Sequence, residues 1–202
     1  MRFALLTLTL LGSAGLLAFS SPTTEPVAQP SSAAASNFIV DPVHSTVIFK
    51  VKHKEVSYFY GGFDEISGSF EYDADDASKC SLSVEIRSES VDSRNEKLDQ
   101  HLRSPDFFDV KQFPVIAFRS TKVEAGGEHD YRVTGDLLLH GVTKSITIDL
   151  EKVGEASGRG GNLIGFHTKF VIDRTEFGMS YGVGGPLGSD VELTVSIEAS
   201  EG

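Results

Sequence analysis

Residues Val133 to Leu150 read VTGDLLLHGVTKSITIDL, and this stretch decides the fold class. Val133, Gly135, Leu137 and Leu139 stand two apart; Val142, Lys144, Ile146, Ile148 and Leu150 repeat the spacing. Successive side chains of a strand point to opposite faces, so a period of two predicts half-buried strands with one apolar face. The pattern extends in both directions. Upstream it recurs in Val47-Phe49-Val51, Ile66-Gly68-Phe70-Tyr72, Leu82-Val84-Ile86 and Val115-Ala117-Arg119; downstream in Ile164-Phe166-Thr168-Phe170-Ile172 and Val191-Leu193-Val195-Ile197. Turn-forming clusters such as Asp73-Ala74-Asp75-Asp76, Gly126-Gly127 and Gly158-Arg159-Gly160-Gly161 separate the runs. About eight antiparallel strands with one wet face predict an all-β sandwich or closed barrel, closure having the merit of leaving no exposed edge.

One segment departs from alternation. Ser93-Arg94-Asn95-Glu96 has the form of a capping box, and Leu98, His101 and Leu102 follow at helical spacing. Ser104-Pro105-Asp106 then repeats a helix-start signature and leads into Phe107 and Phe108. One or two short helices near residues 94–109 are expected to cover one barrel mouth and deliver a pair of aromatic rings.

An eight-stranded barrel has an interior that side chains just fill, or that holds one small ligand. The strand faces here carry Phe, Val, Ile and Leu, with glycines at Gly68, Gly135 and Gly165 that mark bends or leave space. A solid core accounts for that alternation as well as a cavity does.

The N-terminus reads MRFALLTLTLLGSAGLLAFS, with Arg2 ahead of an apolar run and Ala18 and Ser20 placed as the −3 and −1 residues of a cleavage site. That layout predicts a cleaved signal peptide over 1–20, and a periplasmic or secreted product. Residues 21–36, rich in Pro, Ser and Ala, predict a flexible linker, and the folded domain then spans 37–200.

Acidic residues number 29 against 18 basic ones, a formal charge of −11 that becomes −12 when the leader carrying Arg2 is removed (29 against 17). Such a surface repels phosphates, so no nucleic-acid partner and no stable membrane anchor are expected. The single Cys80 excludes an internal disulfide framework and a Cys-based zinc cluster. No G-x-S-x-G, H-E-x-x-H, P-loop or G-x-G-x-x-G occurs. The six histidines fall at no metal-binding spacing, so neither a metal nor a cofactor is expected. His44 beside Asp41-Pro42, Asp99 and His101 on the capped segment, and Asp173-Arg174 at the end of the most apolar strand are each readable as structural groups or as polar groups at a pocket mouth. The glycine-rich Gly182–Gly188 run lacks the basic residue and strand-to-helix context of a phosphate cradle.

Several motifs occur together and in order. They are Asp41-Pro42-x-His44-Ser45; Gly61-Gly62-Phe63 with Gly68; Ser90-Val91-Asp92-Ser93; and Asp99-x-His101-Leu102-Arg103-Ser104-x-Asp106-Phe107-Phe108-Asp109. Next come Phe113-Pro114-x-Ile116-x-Phe118; Gly135-Asp136-Leu137-x-Leu139-His140-Gly141-Val142-Thr143-Lys144; Asp173-Arg174-x-x-Phe177-Gly178; and Ser189-Asp190-Val191. Over Phe38 to Ala199 the chain resembles the YceI-like family, the lipid- or polyisoprenoid-binding YceI-like domain. The resemblance implies a lipocalin-like antiparallel eight-stranded β-barrel, extracytoplasmic, whose long apolar cavity takes a polyprenyl chain or isoprenoid quinone. It also implies binding or carriage, not catalysis. One departure is visible: Phe38-Ile39-Val40 precedes the opening Asp where members often carry Trp.

The reading is therefore an extracytoplasmic carrier of an isoprenoid or other long apolar ligand, with a homodimer possible. Inward positions are expected at Phe49, Val51, Phe107, Phe108, Leu137, Leu139, Ile146, Phe166 and Phe170, with His44, His101, Asp173 and Arg174 holding a head group or gating the mouth. The competing readings are an enzyme on a small apolar or amide substrate using His44 or His101, and a stress-related structural module with a solid barrel.

Overall fold

The computed structural model describes residues 35–158 and 161–202. The expected signal peptide and most of the expected linker lie outside the described residues. Eleven strands form one sheet: β1 (Ser36–Val40), β2 (Thr46–His53), β3 (Ser57–Phe63), β4 (Ile66–Tyr72), β5 (Ser81–Arg87), β6 (Val91–Asp92), β7 (Val115–Ala125), β8 (Asp130–Leu139), β9 (Val142–Gly158), β10 (Gly161–Asp173) and β11 (Leu187–Glu201). One helix, α1 (Glu96–Leu102), interrupts them.

The pairings resolve eleven segments into eight barrel staves. β11 pairs with β2 through Ser196↔Thr46 and then with β1 from Ala199↔Val40, so β1 and β2 form one stave broken at Asp41–Ser45. β3 pairs with β2 and β4 with β1, making a second stave broken at Asp64-Glu65. β5 and β6 form a third, and β7 to β11 are unbroken. β1 against β11 closes the cylinder, which removes the exposed edge that a flat sheet would present. The alternating residues face inward as expected: Val133, Leu137 and Leu139, Ile148 and Leu150, and Ile164 and Phe166 are all buried.

Two sequence expectations change. Gly68 and Gly135 leave no empty space, whereas Gly165 stands at a register shift in the β9–β10 pairing, the bend expected of it. A Cβ on Gly135 would stand 2.5 Å from Phe118 Cζ and 2.5 Å from Arg119 O, so a ring from the neighbouring strand already covers that position. Only glycine lets ring and backbone approach so closely.

The capping box is also displaced. Asn95, not Ser93, caps α1 by accepting from the Leu98 N–H at 3.1 Å. Ser93 instead donates its N–H (2.7 Å) and its hydroxyl to the buried Asp99 carboxylate, which ties the entry segment to the helix. The second helix start gives only turns over 103–108, closed by the Phe108 N–H on Leu102 O (3.0 Å) and the Asp109 N–H on Ser104 O (3.0 Å). Of the one or two helices expected, one forms, and it covers the mouth together with this turn.

Candidate functional site

Beneath α1 lies a cavity of about 490 Å³, within the roughly 300–1,000 Å³ range of small-molecule sites. Its walls come from strands β2, β3, β8 and β11, its cover from Leu98 and Leu102 of α1 and from Phe107 and Phe108. Ile86, Ile116, Leu137 and Leu193 also line a smaller extension of about 90 Å³ further down the barrel. The extension runs to the stacked rings of Phe70 and Phe166, whose centroids are 5.5 Å apart. At the far end Tyr72 and Tyr131 share a hydroxyl–hydroxyl hydrogen bond (3.1 Å), and Lys152 Nζ donates to Tyr72 Oη (3.0 Å). Burial of the Tyr131 phenol, together with its Tyr72 contact, pushes its pKa upward.

The mouth is aromatic. Phe108 packs against Phe63 (5.3 Å) and Phe49 (6.3 Å) inside the rim. His101, Phe107 and Tyr181 form a three-ring contact at 5.0, 5.2 and 5.2 Å, edge to face. His101 Nε2 also meets Asp106 Oδ2 at 2.9 Å, which orients the imidazole on the turn that follows α1.

Arg174 is the charged group of the inner wall. It is 5% exposed, and its guanidinium makes no ion pair among the described residues. Its Nε donates to Gly188 O (2.9 Å), Nη1 to Met179 O (2.8 Å) and Nη2 to Tyr181 O (2.9 Å). Burial lowers its pKa from the usual arginine value and the neighbouring Asp173 opposes that shift. The side chain therefore holds both ends of the glycine-rich loop to the end of β10 while facing the chamber.

The thirteen candidate residues divide into groups. Phe49, Val51, Phe107, Phe108, Leu137, Leu139, His101 and Arg174 line the main chamber. Phe166 and Phe170 line the extension, which Leu137 also borders. Asp173, Ile146 and His44 lie elsewhere. Asp173 Oδ1 accepts from the Thr175 N–H (2.8 Å) and hydroxyl (2.6 Å), capping the turn over 174–177, and these bonds hold its carboxyl below the usual range.

Ile146 keeps the inward parity of Ile148, but β9 and β10 pair only as far as Leu150↔Thr168. Beyond that point the wall splits, and Ile146 borders an outer groove with Lys144, Val171, Glu176 and Phe177. His44 sits on the break between β1 and β2, outside the chamber, where its Nδ1 meets Asp41 Oδ2 at 2.7 Å and Glu198 Oε1 at 3.8 Å. The three donor atoms lie within 4.8 Å of one another, and hydrogen bonding within the group already engages Asp41 and His44. His44 and His101 consequently do not share a site.

Among the chamber residues absent from the thirteen candidates are His53, Tyr58, Met179 and Tyr181. His53 extends the parity of Val47, Phe49 and Val51 by one step and was therefore accessible to alternation. Met179 and Tyr181 sit in the loop after Gly178, where no periodicity carries a signal.

A closed eight-stranded antiparallel barrel with an apolar chamber under an aromatic cap defines a lipocalin-like cavity barrel. The chain belongs to the YceI-like family: the model of the YceI-like domain matches residues 38–199. Among curated relatives, a UPF0312 protein of Shewanella baltica is 36% identical over 172 residues, covering 84% of this chain and 90% of the relative. A UPF0312 protein of Pectobacterium atrosepticum is 35% identical over 167 residues, covering 82% and 86%.

Of solved structures, the YCEI protein of Campylobacter jejuni is 31% identical with a TM-score of 0.66, covering 75% of this chain and 90% of that one. Burkholderia cenocepacia BcnA (22% identical, TM-score 0.72, covering 80% and 99%) shares the fold. So does a polyisoprenoid binding domain from Saccharophagus degradans, implicated in plant cell wall breakdown (16% identical, TM-score 0.65, covering 83% and 99%).

Proposed function

We propose that the protein is an extracytoplasmic binding protein that sequesters or carries one isoprenoid lipid, a polyprenol or isoprenoid quinone, in its barrel. The carrying observation is the interior: an apolar chamber of about 490 Å³ at the mouth, adjoining at Ile86, Ile116, Leu137 and Leu193 an extension of about 90 Å³. A ligand with a broad half and a single thin tail fits that space. Affinity would come from burial, about 0.8 kcal/mol for each methylene enclosed. Arg174, His101 and Tyr181 lie where a ring or head group would end, and the aromatic cap excludes water from the remainder. The shared fold with a polyisoprenoid binding domain from Saccharophagus degradans agrees with this class of ligand. Export by a cleaved leader over 1–20 is part of the proposal and rests on the sequence layout.

Binding, not turnover, is the reading the site favours. The two histidines that an enzyme would have used lie apart, and His101 Nε2 is engaged by Asp106 Oδ2 at 2.9 Å. The solid-barrel alternative conflicts with the chamber itself. Titrating delipidated protein with a fluorescent farnesyl derivative, with palmitate and unlabelled polyprenol as competitors, tests the ligand class. Displacement by the polyprenol alone is expected. Equal displacement by palmitate would replace isoprenoid with acyl chain, and no uptake at all would refute the carrier.

A further inference from the structure

Four of the domain's exposed large apolar side chains collect at the cavity mouth. Val56 (86% exposed) stands on the β2–β3 turn and Tyr58 (58%) at the start of β3; Tyr181 (46%) and Val183 (41%) stand at the start of the loop that leads into β11. The two segments are joined by the Lys54 N–H donating to Pro186 O at 2.7 Å. Lys54 and Glu55 both take left-handed backbone (φ 52 and 58), closing the turn from His53 O to the Val56 N–H at 3.1 Å and leaving Val56 outside it. Tyr58 and Tyr181 also line the chamber, so aromatic surface reaches from the rim into the interior.

We propose that this rim is a docking surface for a lipid bilayer, through which the apolar ligand passes between membrane and chamber. The inference rests on the carrier reading, since an apolar ligand of this kind resides in a bilayer before it is carried. The chemistry of the rim fits the interfacial layer. Tyrosines place an apolar body in the acyl boundary and a hydroxyl among head groups, and valines supply small insertable surface.

Lysines flank the insertion point. Lys50 lies over the Tyr58 ring at 4.8 Å, with Lys52 further along β2 and Lys54 on the turn, their stems able to run along apolar surface while the ammonium groups stay wet. Lys50 is paired with Glu192 and Lys52 with Glu55, so the rim itself is nearly neutral. The remaining surface is strongly acidic. Docking is accordingly apolar and reversible: it needs no anionic lipid, and anionic vesicles should bind less well than zwitterionic ones.

The test compares the full chain with its Val56→Asp/Val183→Asp variant, neither residue being a chamber residue. Two measurements are made: flotation with phosphatidylcholine vesicles, and the rate at which a fluorescent farnesyl derivative moves from those vesicles into the barrel. The variant should lose at least tenfold in vesicle-bound fraction and transfer rate, while its equilibrium uptake of the same probe from detergent stays within twofold of the parent. Unchanged flotation and transfer would overturn the proposal. So would a parent that dimerises in solution, does not float, and becomes monomeric on substitution, because the rim would then be a contact between copies of this chain. Rim-dependent flotation of a barrel that takes up no probe from detergent would uphold docking and refute the carrier reading.

Discussion

The Arg174 guanidinium donates to the carbonyl oxygen of Tyr181 at 2.9 Å, and the Tyr181 ring closes the mouth against His101 and Phe107. One buried cation thus fixes the backbone of the loop whose side chain caps the cavity. Replacing Arg174 by Met leaves the carbonyls of Met179, Tyr181 and Gly188 without this donor, the first in a buried setting and the other two partly buried. A loss of about 3 kcal/mol is expected, from the cost of stranding buried acceptors. A lowered urea midpoint, with faster exchange of the amides over 179–188, checks it.

Gly135 and Gly154 are both strand glycines, and they should respond oppositely to alanine. At Gly135 the new methyl meets Phe118 and the Arg119 carbonyl at 2.5 Å. Forcing it in should cost about 1–3 kcal/mol, as overpacking does. At Gly154 nothing lies within 4 Å. There the loss of unfolded-chain freedom should leave stability unchanged or raised by a few tenths up to about 1 kcal/mol. Paired denaturation curves for the two variants decide the matter.

The His44–Asp41–Glu198 group makes stability depend on pH. Hydrogen bonding and attraction to Asp41, with Glu198 adding to it, raise the His44 pKa above 6.5. The same His44 bond and the Val43 amide lower that of Asp41 below 3.8. A raised imidazole pKa gives stability that is full below pH 6.5 and is lost as pH rises through the folded value. A lowered carboxyl pKa gives stability that is full above pH 3.8 and is lost as pH falls through the folded value. Both contributions are therefore complete between about pH 4 and 6.5. His44→Gln should lower the melting temperature more at pH 5.5 than at pH 8.5. An equal shift at the two values would show that the imidazole charge plays no part.

The chamber can be filled from within. Leu139 lies on its wall, and an indole there would occupy part of the 490 Å³ without disturbing the mouth. Leu139→Trp is expected to keep the fold and to reduce probe uptake by at least tenfold. Circular dichroism and the farnesyl titration measure the two separately.

Alternation made the barrel walls legible. It placed Phe49, Val51, Leu137, Leu139, Phe166 and Phe170 inward because each sits in a run where parity is unbroken. It failed at interruptions. Parity does not carry across Asp41–Ser45, so nothing in the sequence tells which side of the shell His44 occupies. Ile146 kept its parity and still missed the chamber, because the split between β9 and β10 is a long-range pairing property.

Ser93 matched a capping box locally, yet the carboxylate of Asp99 took its hydroxyl and left the cap to Asn95. The helix and the aromatic pair over the mouth were readable from Leu98, His101 and Leu102 with Phe107 and Phe108. The role of Arg174 was not: three carbonyls brought together by a loop leave no mark on spacing.

The central claim is that the chamber holds an isoprenoid lipid. Organic extraction of the protein purified without detergent, followed by mass spectrometry of the extract, tests it most directly. The expected result is one class of isoprenoid lipid at close to one molecule per chain in the parent, and depleted in Leu139→Trp. A barrel that is reproducibly empty, and stays empty after incubation with polyprenols and isoprenoid quinones, would contradict it.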